Sequence, residues 1–184
     1  MLITSDALVT HGACKAYSCD CGMYVGQKPL ALGGFDGRAY DTSCVASMHL
    51  TDASLEIKRH GLIRGIYVQQ CGGNLGMGFG AAGRNVFFSD DFSGCDFTVY
   101  RAADGRYAAA HVYSNDDARA AADRLPPGWR RLGTWESRGY AEAWETRAVH
   151  CFALIEGQEL VFVAFSLQFH QAISQVRVVA RFPI

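Results

Sequence analysis

The hydrophobic positions of this chain change period along its length, and the clearest pattern lies downstream of residue 62. Ile63 to Val68 reads as a strand, and Asn85 to Ser89 as a second, apolar one. Val149 to Ile155 predicts another, and Leu160 to Phe169 is nearly continuously apolar, as expected of a central strand. From Ser174 to Phe182, Val176, Val178, Ala180 and Phe182 alternate with Gln175, Arg177 and Arg181, which marks a half-exposed strand. A different period separates these runs. Ala118, Ala121, Ala122 and Leu125 fall at helical spacing behind the capping and acidic residues Ser114-Asn115-Asp116-Asp117. Pro126-Pro127-Gly128 ends that helix; Trp129 to Trp135 reads as a strand and Ser137 to Thr146 as a second short helix.

Between the strand ending near Ser89 and the helix lies a hairpin. Cys95 to Tyr100 and Arg106 to Tyr113 are its arms, joined by Ala102-Ala103-Asp104-Gly105, a type I turn composition closed by glycine. Counting about a midpoint at Ala103 pairs Cys95 directly with His111, with the register open to a shift by a bulge at Gly105. Direct partners on an antiparallel pair hold their Cβ atoms roughly 4.5–5.5 Å apart on one face. A thiol and an imidazole at that distance form a nucleophile pair. The Ser93-Gly94 turn is expected to expose the thiol and free the Cys95 backbone N–H for an oxyanion. Ser89, at the end of the preceding strand, is placed to meet the far imidazole nitrogen.

Upstream of about Gly61 the pattern is weak and rich in Gly, Asp, Ser and Thr. Cys19-Asp20-Cys21-Gly22 and Gly33-Gly34-Phe35-Asp36-Gly37 look like turns, and Thr51 to His60 fits helix or strand equally. At least seven strands and one helix predict an α+β fold, a β-sandwich core with a few helices packed outside. Residues 1–184 read as one domain without repeat or linker, with 1–61 its most weakly patterned part.

Composition narrows the function. A formal net charge of −1 provides no field for nucleic acid or anionic lipid, and no apolar run is long enough to cross a bilayer. The first fifteen residues lack the pattern of a cleaved secretory signal, so the expectation is a cytoplasmic protein or one exported by a signal-independent route. Seven cysteines without such a signal point to free thiols in a reduced compartment. Cys44 and Cys71 then read as small apolar fillers.

Other motifs compete with the hairpin. Gly78-Phe79-Gly80-Ala81-Ala82-Gly83 matches a dinucleotide fingerprint, but a strand rather than a helix follows it; Gly72 to Gly83 therefore reads as a loop. His11, Cys14, Cys19 and Cys21 are zinc-type ligands at a spacing that fits no common knuckle. His150 and Cys151 are adjacent on a strand and must point to opposite faces.

Phe87-Phe88-Ser89-x-x-Phe92-Ser93-Gly94-Cys95 resembles the segment around the nucleophile of Burkholderia lethal factor, where an aromatic strand leads through Thr to Leu-Ser-Gly-Cys. Ser-Gly-Cys with a downstream His also resembles the catalytic domain of the cytotoxic necrotizing factors, and the chemoreceptor glutamine deamidases are similar in outline. The resemblance covers about thirty residues. It implies a cysteine-dependent protein-glutamine deamidase on a β-sandwich, with Cys95 the nucleophile, His111 the base and Ser89 the third member. It also implies a bacterial effector or toxin, needing no cofactor and probing a host protein with a reactive glutamine, such as a GTPase or translation factor; a monomer is expected. A second family resembles the same hairpin. Arg59-His60-Gly61 and Ala109-Ala110-His111 are similar to the His-Gly and Ala-Ala-His of a purine-nucleoside-cleaving family, which implies zinc held by His60, Cys95 and His111. A non-catalytic binding domain on this scaffold is the third expectation.

Overall fold

The alternating and continuous apolar runs become two mixed β-sheets stacked face to face in the computed structural model, which describes residues 4–11, 16–18, 27–50, 61–80, 86–139, 149–166 and 175–184. The first sheet runs in the order β1 (Ala16–Ser18), β4 (Ser43–Leu50), β5 (Gly61–Val68), β7 (Val86–Phe92), β11 (Val149–Glu156), β12 (Glu159–Ser166) and β13 (Gln175–Pro183). The second runs β10 (Trp129–Glu136), β8 (Asp96–Ala102), β9 (Tyr107–Val112), β6 (Leu75–Phe79), β3 (Ala39–Asp41) and β2 (Lys28–Pro29). Pairing is antiparallel except between β5 and β7 and between β3 and β6.

Every second side chain of the central strands points between the sheets. Val68, Phe87, Cys151 and Phe162 of the first sheet share one buried cluster with Phe97, Val99, Ala109 and Trp135 of the second. The outer faces are apolar as well. Phe88, Phe152, Val161 and Phe165 meet Leu8 of helix α1 (Ser5–His11), which covers the first sheet. Leu75, Met77, Tyr100 and Ala110 meet Ala118, Ala121 and Ala122 of helix α2 (Asp116–Asp123), which covers the second. Burial on both faces is why β11 and β12 read as unbroken apolar runs. The Asn115 side chain caps α2, accepting from Ala118 N–H at 2.7 Å. The expectation of a β-rich α+β fold with helices outside two sheets is met at this level.

Two expectations change. The predicted loop from Gly72 to Gly83 contains strand β6, in which Leu75 and Met77 face α2 and the glycines face the other sheet. A Cβ at Gly78 would come 2.6 Å from Val68 Cγ2, and one at Gly76 would clash with the Gln69 carbonyl oxygen. Glycine stands there because the end of β5 crosses close beneath β6, a reason invisible in a local reading. The upstream region supplies more regular structure than its pattern suggests, including α1 and the eight-residue β4. Arg138 and Gly139 begin a helical turn, but the rest of the expected second helix, Thr51 to His60, and Phe169 lie outside the described residues.

Candidate active site

The hairpin forms with a three-residue loop. Ala102 N–H and Arg106 O close it at 2.9 Å, and Gly105 takes φ +86°. Its register pairs Phe97 with His111 and Asp96 with Val112. The direct pairing of Cys95 with His111 is thereby corrected, because pairing centres on Asp104 instead of Ala103. A shift of two residues keeps the face, since strand side chains repeat every second position. Cys95 and His111 are therefore diagonal neighbours facing the core between the sheets, a relation with Cα atoms typically about 7–8 Å apart.

Ser89 reaches His111 from the opposite sheet. Its hydroxyl donates to the Val68 carbonyl at 2.5 Å, and the same oxygen lies 2.8 Å from His111 Nδ1. With its one proton committed to Val68, Ser89 Oγ accepts from Nδ1–H. The tautomer follows: Nε2 carries the lone pair, and it is buried without a hydrogen-bond partner among the described residues. The ring stacks on Phe92, with centroids 4.3 Å apart and planes 4° from parallel. Burial pushes the His111 pKa down to about 4, with Asp90 opposing weakly, so the imidazole is neutral at physiological pH.

A bulge in β7 makes this arrangement possible. Cys151 pairs with Ser89 and Val149 with Phe92, so two residues of β7, Asp90 and Asp91, face one of β11. Asp91 takes φ +58°, the left-handed conformation that lets a strand absorb an extra residue. Without it Ser89 and Phe92 would point to opposite faces. With it both turn inward and hold the same imidazole, one at its edge and one at its face.

Cys95 sits in a braced turn. Gly94 takes φ +128°. Its N–H donates to Ser137 Oγ at 3.0 Å, while the Ser137 hydroxyl donates to Cys95 O at 2.7 Å. From α2, Arg119 donates to the buried Asp96 carboxylate at 2.8 Å and to Gly94 O at 3.0 Å. The expectation of an exposed thiol is corrected: Cys95 is 2% exposed. Burial raises its pKa, opposed by hydrogen bonds from Ser114 N–H and the Gln70 amide, raised further by Asp96, and lowered again by the Ser114 hydroxyl. Gln70 Nε2 lies 3.9 Å from Sγ. No hydrogen bond joins Sγ to His111 Nε2. A raised thiol and a lowered imidazole leave both neutral, so a preformed thiolate–imidazolium pair is not what this geometry holds.

The structure thus brings Ser89 and His111 into contact and sets Cys95 on their face. Val68, Gln70, Ser114, Ser137 and Arg119 escape sequence reasoning as site residues, and Phe92, although it lies in the segment quoted for the resemblance, is given no role there.

The remaining candidates separate. His150 and Cys151 do face opposite ways, His150 stacking on Phe165 at 5.2 Å and Cys151 packing between the sheets. Cys71 is a buried free thiol, as expected, and Cys95 and Cys151 are free too. Cys44 is disulfide-bonded, which corrects both its reading as an apolar filler and a uniformly reduced set of thiols. His60 and the side chains of His11, Cys14, Cys19 and Cys21 lie outside the described residues, so both metal expectations fall there. Among the described residues no three His, Cys, Asp or Glu side chains gather as a metal site, and no helix is long and apolar enough to cross a membrane. Compared with family models, characterised proteins and solved structures, the chain finds no match.

Proposed function

We propose that this chain is a cysteine-dependent deamidase that converts a glutamine side chain of a target protein to glutamate. Cys95 is the nucleophile, His111 the base and Ser89 the residue that orients the base. One observation carries the reading above the others: Ser89 Oγ holds His111 Nδ1 at 2.8 Å and leaves Nε2 as a buried acceptor on the face that Cys95 shares. An imidazole fixed by a partner at one nitrogen and open at the other is the arrangement a general base requires.

Both groups start neutral, so proton transfer accompanies attack. The Cys95 thiol gives its proton to Nε2 as Sγ bonds to the carboxamide carbon. The tetrahedral oxyanion is held by backbone N–H groups, including that of Cys95. His111 returns the proton to the departing amide nitrogen, ammonia leaves, and a thioester remains. Water hydrolyses it to glutamate and regenerates the thiol; a primary amine in the place of water gives transglutamination. Contact between Sγ and Nε2 must tighten when substrate binds, as catalytic hydrogen bonds commonly do.

The same proposal includes a sandwich resembling the cytotoxic necrotizing factor catalytic domain, and a bacterial effector whose target is a host protein such as a GTPase. Turning one amide into a carboxylate suffices to disable a water-positioning glutamine. The test is mass spectrometry of host proteins exposed to wild type and to Cys95→Ala and His111→Ala. The expected result is one glutamine converted to glutamate by wild type alone; conversion that persists in both variants sinks the assignment.

A further inference from the structure

The thiol proposed to attack a glutamine carboxamide already has one beside it. Gln70 follows β5 in the connection to β6, outside regular structure, and its side-chain amide nitrogen lies 3.9 Å from Cys95 Sγ. The nitrogen is the donor in that contact, and the carbonyl carbon that a thiol would attack is the atom bonded to it. Ser114 lies on the same side of the turn, its Cβ 3.8 Å from where a side chain on Gly94 would begin. Cys95 is otherwise enclosed by the core between the sheets and by the braced turn.

We propose that the Gln70 carboxamide occupies the subsite of the substrate carboxamide, so that the protein holds its own glutamine as a plug over Cys95. Resting on the deamidase reading, this identifies the subsite by its contents: it takes a primary carboxamide at the end of a flexible chain, next to Sγ. It also accounts for the 2% exposure of a nucleophile meant to meet a protein substrate. Displacing the Gln70 side chain exposes the thiol, and rotation of that side chain suffices, because the backbone on either side is held by Gln69 N–H donating to Thr42 Oγ1 and Tyr113 N–H donating to Asn74 O.

The opposite role for Gln70 is that of a donor that activates the thiol, and the two roles predict opposite signs. The experiment is the rate of Cys95 carboxamidomethylation by iodoacetamide at pH 7.5, read by peptide mapping in wild type, Gln70→Ala and Gln70→Asn. Removing a plug accelerates labelling about tenfold or more, and shortening it by one methylene accelerates it less, because reaction needs an accessible thiol. Equal or slower labelling in Gln70→Ala, with the thermal midpoint of unfolding unchanged, overturns the plug. If Gln70→Ala fails to fold, Gln70→Asn decides by the same rate. The labelling needs no target protein, so it separates the two ideas. Faster labelling without deamidation in any variant keeps the plug and removes the activity; deamidation lost only in Cys95→Ala, with labelling unchanged by Gln70→Ala, does the reverse.

Discussion

At the residue scale the centre of this protein is an imidazole with one nitrogen held and one left open. Ser89 acts as a relay: it spends its own proton on Val68 O and so can only accept from His111. Ser89→Ala removes that acceptor and leaves Nδ1–H buried, costing about 1–3 kcal/mol. It also frees the ring to take the wrong tautomer, and the deamidation rate falls by about 10² or more, as when a general base is lost. Urea unfolding and the rate on an identified target check the two parts separately. The burial of His111 has its own signature. Unfolded, the ring binds a proton near 6.5; folded, only near 4. Between these values the unfolded chain binds more protons, so stability rises with pH across that window. The contribution, on the order of 3 kcal/mol, is complete above the upper value and lost as the pH falls toward the lower one. His150, its pKa also lowered by burial, adds to the same slope. Urea midpoints of wild type should therefore fall more steeply below pH 6.5 than those of His111→Gln; parallel profiles would refute a neutral, buried His111.

At the scale of elements, the presence of most strands and of α2 was legible because each depends on local pattern. Register was not, because it depends on the partner strand and on loop geometry. A three-residue loop in place of the turn counted from composition moves Cys95 from facing His111 to lying diagonal to it. The period of two means that this shift spares the face, so the two residues still share one side of the sheet. The β7 bulge is the other element-level device, and nothing in Ser89-Asp90-Asp91-Phe92 announces it. Asp91 is one of the few residue types that tolerates its φ of +58°. Asp91→Gly is expected to keep the thermal midpoint, whereas Asp91→Val costs about 1–2 kcal/mol by forcing a β-branched residue into the left-handed region. Equal midpoints for the two variants would contradict the bulge.

On the scale of the whole molecule, the proposed site depends on how closely two sheets approach. Ser89 and Val68 belong to one sheet and His111 to the other, so the hydrogen bond between Ser89 and His111 exists only at this separation. Gly76 and Gly78 keep the distance short where β5 passes β6. Gly76→Ala drives a methyl group into the Gln69 carbonyl, next to both Val68 and Gln70. The expected cost is about 2 kcal/mol or more by overpacking. Gly37→Ala offers a contrast: its added Cβ meets nothing, so its penalty comes from a φ of +70° alone. Chemical denaturation of both variants, with Cys95 labelling of Gly76→Ala, tests whether the site senses the spacing. The chain's sequence by itself determined most of the strands downstream of residue 62, where α2 begins, and that Cys95 and His111 share one face of the hairpin with Ser89 on the strand before it. These follow from side-chain period, capping and turn chemistry, all of them short-range. Only the tertiary structure decided that the thiol is buried, that the imidazole is neutral and open at Nε2, and that Gln70 lies over Cys95. Those properties arise from desolvation and from contacts between segments distant along the chain, and no local pattern encodes the closeness of two sheets.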